Sequence, residues 1–175
     1  MIVDEVLAAF QRGRDRGERI PRDFVLAAMA SDSLDVQAAL YDHIMQSRFA
    51  RLIDPPLELS DYLTFVPDFT RRCMQRNFSN EWVPERHLIG HDFRKWFESL
   101  FEDKDIPRDI SVRLKEWLAQ FYRESDAELR LAIVNAILEH LFENRRIRRF
   151  FSDWKTDPLL SQAYAEAEMW IRGLP

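Results

Sequence analysis

The chain has 175 residues, of which 46% are hydrophobic and 13% are aromatic, and its formal net charge is -5 at pH 7. A chain of this length is expected to form a single domain, spanning residues 1–175, with enough apolar groups for a buried core. The negative charge disfavours nucleic acids and anionic membranes as partners, whereas a basic protein partner is compatible with it.

The single cysteine, Cys73, excludes an intrachain disulfide and a cysteine-based zinc site, and a reduced thiol is typical of the cytoplasm. No stretch approaches the roughly 20 apolar residues that a membrane-spanning helix needs. The first residues also lack the basic start and apolar run of an export signal. We therefore predict a cytoplasmic protein without a membrane anchor. Because Cys73 lies in the polar run TRRCMQRN, we interpret it as an ordinary thiol beside surface arginines.

The first part of the chain predicts three helices. The first covers about residues 2–16, and the second covers about 21–30, where a proline opens the helix. The third is expected to begin at Asp32 or Ser33 and to reach about Ile53. Apolar residues occupy two faces of this third helix, so it should be an inner helix of the fold.

Two consecutive prolines end the third helix, because the residue before a proline is driven out of the helical region. We place the main corner of the fold here, at residues 54–58. A further helix, kinked or interrupted at Pro67, is predicted from Ser60 to about Phe78. A loop over residues 79–84 follows it.

A strongly amphipathic helix is predicted over about residues 85–102, and Asp109 can cap the next helix, whose apolar stripe runs from Ile110 to Phe121. The last helix is expected to begin at Asp157, with a proline in its first turn, and to end at Gly173. No segment shows the alternation of a half-buried strand for a useful length. We therefore predict an all-α fold without a sheet. Seven to eight helices would be stacked as antiparallel hairpins, either in an irregular bundle or in a short HEAT-like stack.

The clearest helix, which we call the central helix, is predicted over Ser125–Asn144. Ser125 and Glu128 have the spacing of a capping box, which would begin the helix. Its apolar residues cover two opposite faces, so other helices should pack on both sides of it. The polar strip between these faces forms an acidic edge made of Glu128, Asn135, Glu139 and Glu143. Glu98 and Glu102, near the end of the predicted helix over residues 85–102, add negative charge, as do Asp103 and Asp105 in the turn that follows that helix.

Four histidines were considered as ligands or catalytic groups. His87 and His91 are four residues apart on one helical face, as two metal ligands would be. Glu98 lies about 10.5 Å further along the helix than His91, too far to complete that site. We therefore favour surface histidines and predict no metal, no cofactor and no catalytic residue. We interpret His43 and His140 as hydrogen-bonded histidines on apolar helix faces.

A basic run follows the central helix and consists of Arg145, Arg146, Arg148 and Arg149. We interpret it as the solvated end of the central helix, where arginines complement the negative pole of the helix dipole. The alternatives are a contact with a partner protein and a phosphate-binding patch for RNA.

One segment, residues 111–154, carries a family resemblance. It contains a helix that ends in the polar break RESDAE, followed by an apolar helix that closes on AILEHL, Ala136–Leu141. In this it resembles a family of small, all-helical bacterial proteins that are encoded beside polymorphic toxins and are regarded as immunity proteins. The resemblance implies a cytoplasmic inhibitor that occludes or distorts the active site of a toxin, and it carries over no catalytic residue.

We therefore expect a non-enzymatic immunity-type protein that neutralises a cognate toxin. The contact surface of the toxin is expected to be basic. The expected partner-binding residues are Glu139, Glu143, Glu128, Asn135, Glu98 and Glu102. The first alternative is a helical scaffold or regulatory domain, which could form a homodimer through exposed aromatic residues such as Trp82 and Trp154. The second alternative is an enzyme that uses a metal bound by His87 and His91.

Overall fold

The computed structural model describes residues 1–76 and 80–173. In that part of the chain the fold is all-α, as predicted, with more helical segments than the seven to eight expected. The predicted helix end near Phe78 and the predicted loop start at Ser79 lie outside the described residues.

The Cα positions of the described residues group into two compact units, which we describe separately. One unit contains residues 1–73 and 80–84, and the other contains residues 74–76 and 85–173. The corner predicted at 54–58 lies inside the first unit. The single domain expected from the chain length stays a prediction, because two compact units can belong to one domain.

Five helices begin in the first unit. They are α1 (Val3–Arg16), α2 (Arg22–Met29), α3 (Leu34–Ile44), α4 (Ser47–Ala50) and α5 (Leu59–Gln75). Both α1 and α2 pack against α3, most of whose residues are buried, so the third helix is an inner helix as predicted. Its cap is Ser33, whose hydroxyl accepts a hydrogen bond from the N–H of Val36 at 3.4 Å.

The third helix is shorter than predicted. The prediction that no sheet occurs was wrong, because the structure contains a pair of two-residue strands. After α3 ends at Ile44, the chain forms α4 and then strand β2 (Ile53–Asp54), which pairs in parallel with β1 (Ile20–Pro21). The two isoleucines at this pairing, Ile20 and Ile53, are 2% and 1% exposed. Strands of two residues are too short to show alternation in the sequence, and their burial in the core holds them together.

The structure corrects the interpretation of Cys73 as a thiol near the surface. Cys73 lies on α5 and is only 1% exposed. The reason is helical phase, because Cys73 follows the buried Phe69 by four residues and therefore shares its face. The arginines beside Cys73 in sequence lie on other faces of the helix. The same helix continues through Pro67, where a kink or an interruption was predicted.

The second unit begins with α6 (Arg86–Glu102) and α7 (Arg108–Glu124). The central helix follows, in three stretches: α8 (Ala127–Ile133), a π-helical turn (Val134–Leu138) and α9 (Glu139–Glu143). The remaining elements are α10 (Arg145–Phe150), a 3₁₀ helix (Ser152–Thr156) and α11 (Leu160–Ile171). Both α6 and α11 pack against the central helix, which confirms the prediction made from its two apolar faces.

The predicted capping box of the central helix was wrong. The helix begins at Ala127, and its cap is Asp126, whose carboxylate accepts a hydrogen bond from the N–H of Leu129 at 2.8 Å. Ser125 is buried, and its hydroxyl donates to the carbonyl of Phe121 at 2.7 Å. Ser125 therefore serves the end of α7 and is not available to begin the next helix.

The π-helical turn was not predicted, and it changes the phase of the central helix. A π turn contains one more residue than an α turn, so side chains after it are rotated relative to those before it. His140 was predicted on an apolar face, but its side chain is 36% exposed and its Nδ1 lies 3.0 Å from Oε1 of Glu143. Leu131 was also predicted on an apolar face and is 54% exposed, but it lies before the π turn, so the change of phase does not explain its exposure.

Gly90 on α6 lies against this π turn. A Cβ atom at Gly90 would lie 2.6 Å from the Cβ of Ala136, which is closer than two carbon atoms can approach. The missing side chain therefore allows α6 to pack closely against the central helix.

The basic run does not form the end of the central helix, in contrast to our interpretation. It begins a separate helix, α10, whose cap is Asn144. The side-chain oxygen of Asn144 accepts hydrogen bonds from the N–H groups of Arg146 and Ile147 at 3.0 and 3.4 Å. Such a cap competes with continuation of the preceding helix, which explains the break.

The last helix begins at Leu160, three residues after the predicted start at Asp157, and ends at Ile171, two residues before Gly173. The carboxylate of Asp157 accepts hydrogen bonds from the N–H groups of Leu159 and Leu160 at 3.0 and 2.9 Å. Beyond the end of α11, Gly173 adopts a φ of +65°, which favours glycine.

Candidate functional site

Four of the six predicted partner-binding residues lie on α6 and α9, which pack against each other. We call them the acidic patch: Glu98, Glu102, Glu139 and Glu143. Glu139 lies half-buried one turn before Glu143 on α9. The negative charges of Glu102 and Glu143 both act on Glu98, so carboxylates from two helices are close in space.

Glu98 is partly buried, with 23% of its side chain accessible, and it forms an ion pair with Arg94. Arg94 donates a hydrogen bond to its Oε2 at 2.8 Å from one turn earlier. Burial nevertheless raises the pKa of Glu98 above its ordinary value, and the charges of Glu102 and Glu143 add to this effect, although Arg94 opposes it. The negative charge at Glu98 is therefore only partly compensated by the protein itself.

Two other carboxylates of the acidic patch, Glu102 and Glu143, contact neutral or titratable groups. Asn144 donates a hydrogen bond to Oε1 of Glu102 at 2.9 Å, and His140 contacts Glu143. Glu102 and Glu143 are exposed, and 62% of the Glu143 side chain is accessible. The exposed carboxylates can therefore reach a cation outside the protein.

A pair of histidines borders this region. The rings of His91 and His140 meet edge to face with their centroids 5.5 Å apart, and an Nη2 of Arg94 lies 3.2 Å from Nε2 of His91. The pKa of His91 is lowered, first by burial and then by the positive charges of Arg94, Lys95 and His140. These effects favour the neutral form of His91.

The histidine pair considered as a metal site, His87 and His91, is not completed by a third ligand. In residues 1–76 and 80–173, no group of three or more histidine, cysteine, aspartate or glutamate side chains is arranged to hold a metal ion. His43 is hydrogen-bonded as predicted, with its Nδ1 2.8 Å from the carbonyl oxygen of Ala39.

Two predicted partner-binding residues lie outside the acidic patch. Glu128 forms an ion pair of 2.6 Å with Arg86 near the start of the central helix. Asn135 lies in the π turn, where its Oδ1 is buried and has no hydrogen-bond partner within the described chain. Their roles in partner binding stay predictions.

The sequence did not reveal a second charged region, which we call the arginine depression. This surface depression of about 540 Å³ is lined by Phe101, Arg108, Arg145, Arg146 and Arg149. The basic run was visible in the sequence. Arg108, however, begins a different helix, and only the fold brings it to this run.

Comparison of the chain with protein-family models, with curated proteins and with solved structures gives no significant match. Among the described residues, no helix is long and apolar enough to cross a membrane. The class of protein that the structure defines is an all-α helical protein. The charged surfaces of the protein are therefore the features that bear on its function.

Proposed function

We propose that this protein is a non-enzymatic immunity-type protein that binds a cognate toxin in the cytoplasm and occludes it. The observation that carries the proposal is the convergence of carboxylates from α6 and α9 in the acidic patch, with the pKa of Glu98 raised. Negative charge fixed on rigid helices attracts a basic partner over a distance, which speeds association and favours the correct partner.

The resemblance to immunity proteins supports the kind of partner that we propose. Residues 111–154 contain α9, and with it Glu139 and Glu143, which we propose as the principal binding residues. Glu98 and Glu102 lie on the neighbouring helix and would widen the contact. Glu128 and Asn135 would lie at its periphery.

The first step of the test identifies the partner. The tagged protein is recovered from its source cells, and stoichiometric companions are identified by mass spectrometry. The proposal requires a companion with a basic surface that is toxic when expressed alone and harmless when expressed with this protein. Recovery of the protein without any such companion would contradict it.

The second step tests the surface. We expect Glu139→Lys/Glu143→Lys to slow association with that companion by at least about tenfold at low salt, because electrostatic steering is reversed at the contact. Asp4→Lys/Glu116→Lys is the matched control, since it changes the net charge equally at exposed residues outside the acidic patch. Equal rates for the two double variants would remove the acidic patch from the interface. Unfolding curves of both variants establish that they are folded.

One observation favours the alternative of a homodimeric scaffold, although not through the residues that we predicted. Trp154 is only 3% exposed and cannot form an interface, and Trp82 is half-buried. Near the end of α11, however, Met169 and Trp170 are 52% and 57% exposed. Recovery of the protein only with copies of itself would favour this alternative over a toxin partner.

A further inference from the structure

The arginine depression is formed by three elements of the second unit. Phe101 comes from the end of α6, Arg108 is the first residue of α7, and three arginines come from α10, namely Arg145, Arg146 and Arg149. Residues at these spacings lie on one side of a helix. The fold therefore directs guanidinium groups from two helices into one depression.

Aromatic rings hold part of this arrangement in place. The guanidinium carbon of Arg108 lies 3.8 Å from the ring centroid of Phe101 and 4.4 Å from that of Phe150. The guanidinium carbon of Arg146 lies 5.8 Å from the Phe101 centroid. Such cation–π contacts fix the position of an arginine without neutralising its charge.

No acidic group of the described residues balances these charges. None of the four arginines forms an ion pair there, although other arginines of the second unit do. The pKa of Arg108 is lowered by burial and by the positive charge of Arg146. Like charges brought together in this way repel one another, and a bound anion would relieve the repulsion.

We propose that the arginine depression binds a compact ligand that carries two or more phosphate groups. A guanidinium group offers a planar fork of donors that matches a phosphate, and four such forks exceed what one phosphate group can use. The ring of Phe101 is only 5% exposed and is covered by Arg108, so the ligand is recognised by its phosphates and not by base stacking.

A compact ligand fits this surface better than a long polyanion such as RNA. Acidic residues within two positions of the lining residues in sequence include Glu102, Asp103 and Asp109, all exposed, and the chain has a net charge of -5. An extended nucleic acid would meet this negative charge on leaving the depression, whereas a polyphosphate group would not.

Calorimetric titration with inorganic tripolyphosphate at physiological ionic strength tests the proposal. We expect saturable binding to the full chain, and an affinity at least about a hundredfold lower for Arg145→Gln/Arg149→Gln, because each arginine that contacts phosphate contributes at least about tenfold. Both arginines are exposed and form no ion pair in the described chain, so the variant is expected to fold.

Arg148→Gln is the control, because it comes from the same run and does not line the depression. Absence of binding to the full chain, or an equal loss of affinity in Arg148→Gln, would overturn the proposal. Tighter binding of a single-stranded RNA than of tripolyphosphate, lost in the same double variant, would also overturn it in favour of a nucleic-acid site.

A further comparison identifies the source of the phosphates. Phosphatidylcholine vesicles with and without phosphatidylinositol bisphosphate are compared with free nucleoside triphosphates. Binding to either that is lost in Arg145→Gln/Arg149→Gln supports the site, with a lipid headgroup as the source in the first case and a soluble ligand in the second. If neither the phosphatidylinositol bisphosphate vesicles nor the nucleoside triphosphates bind a chain that binds tripolyphosphate, both organic ligands are excluded. That result would overturn the proposal that the depression binds a lipid headgroup or a nucleotide.

Discussion

The acidic patch and the arginine depression are neighbours along the chain, but they differ in how their charges are compensated. Carboxylates of the acidic patch have hydrogen-bond donors of the protein beside them, whereas the arginines of the depression have no acidic partner among the described residues. Glu98 has Arg94 beside it, and Glu102 has Asn144. The arginines of the depression have only aromatic rings and one another, within the described residues. In both regions burial and a nearby like charge shift a pKa against the charged form, at Glu98 upward and at Arg108 downward.

This contrast in charge compensation shows that the number of charges along a sequence does not indicate which charged region is the stronger candidate site. The acidic edge was the more prominent feature of the sequence, yet its members are partly paired within the protein. The arginine run was interpreted as a helix end, yet it is the region that lacks compensation. Mutations at or near α6, the helix that contributes to both regions, should therefore affect the two regions differently.

The largest expected effect concerns the packing that brings the acidic patch together. We expect Gly90→Ala to lower the free energy of unfolding by about 1–3 kcal/mol, measured by urea denaturation, because its Cβ would overlap that of Ala136. Alanine is otherwise favoured over glycine in a helix by roughly 1 kcal/mol, so a loss can only come from this contact.

The double variant Gly90→Ala/Ala136→Gly provides the control for this prediction. Removal of the Ala136 methyl group makes room for the new one, so the two changes together should cost less than the sum of their separate effects. Additive losses would show that the close approach of α6 to the π turn is not the cause.

The next largest effect concerns Asn144, which lies between the two regions. Asn144→Ala removes the cap of α10 and the hydrogen bond to Glu102, so we expect a loss of about 1–2 kcal/mol in unfolding free energy. Asn144→Asp keeps a capping oxygen but places a carboxylate opposite Glu102. A loss in Asn144→Asp that is as large as that in Asn144→Ala would show that the interaction with Glu102, through the lost hydrogen bond and the new repulsion, outweighs the retained cap.

Much of the fold could be predicted because apolar periodicity reports helices directly. The inner position of α3 and the packing of α6 and α11 on the central helix follow from residues on two faces. The breaks could not be predicted in the same way. The π turn arises where Gly90 allows α6 close to Ala136, and Asn144 separates two helices through a side-chain bond. Both depend on contacts that a periodic pattern does not contain.

The candidate site was predictable only in part, for the same reason. Four of the six predicted partner-binding residues lie on two helices that pack together, whereas Glu128 precedes the π turn and Asn135 lies within it. Trp154 was expected to be exposed, but the centroid of its ring lies 4.9 Å from that of Phe151, and Trp154 is buried. The sequence also did not place Arg108 beside Arg146, since their proximity depends on how separate helices pack.

The smallest effect concerns the pH dependence of stability at Glu98. Because the pKa of Glu98 is raised in the folded protein, the folded state binds a proton there more readily than the unfolded state. Its contribution to stability is therefore fully present below the ordinary pKa of 4.5 and is lost as the pH rises through the raised value. Glu98→Gln cannot lose a proton, so its stability relative to the original protein should increase as the pH rises from 4 to 7.

Urea denaturation of both proteins across this pH range measures the difference, and Glu116→Gln, a change at an exposed residue of α7, is the control. A constant difference at all pH values would show that Arg94 fully compensates Glu98. In that case the acidic patch would be balanced internally, and the contrast with the arginine depression would be sharper. A difference in unfolding free energy that grows with pH would show that ionisation of Glu98 destabilises the free protein. A basic partner would remove this destabilisation on binding.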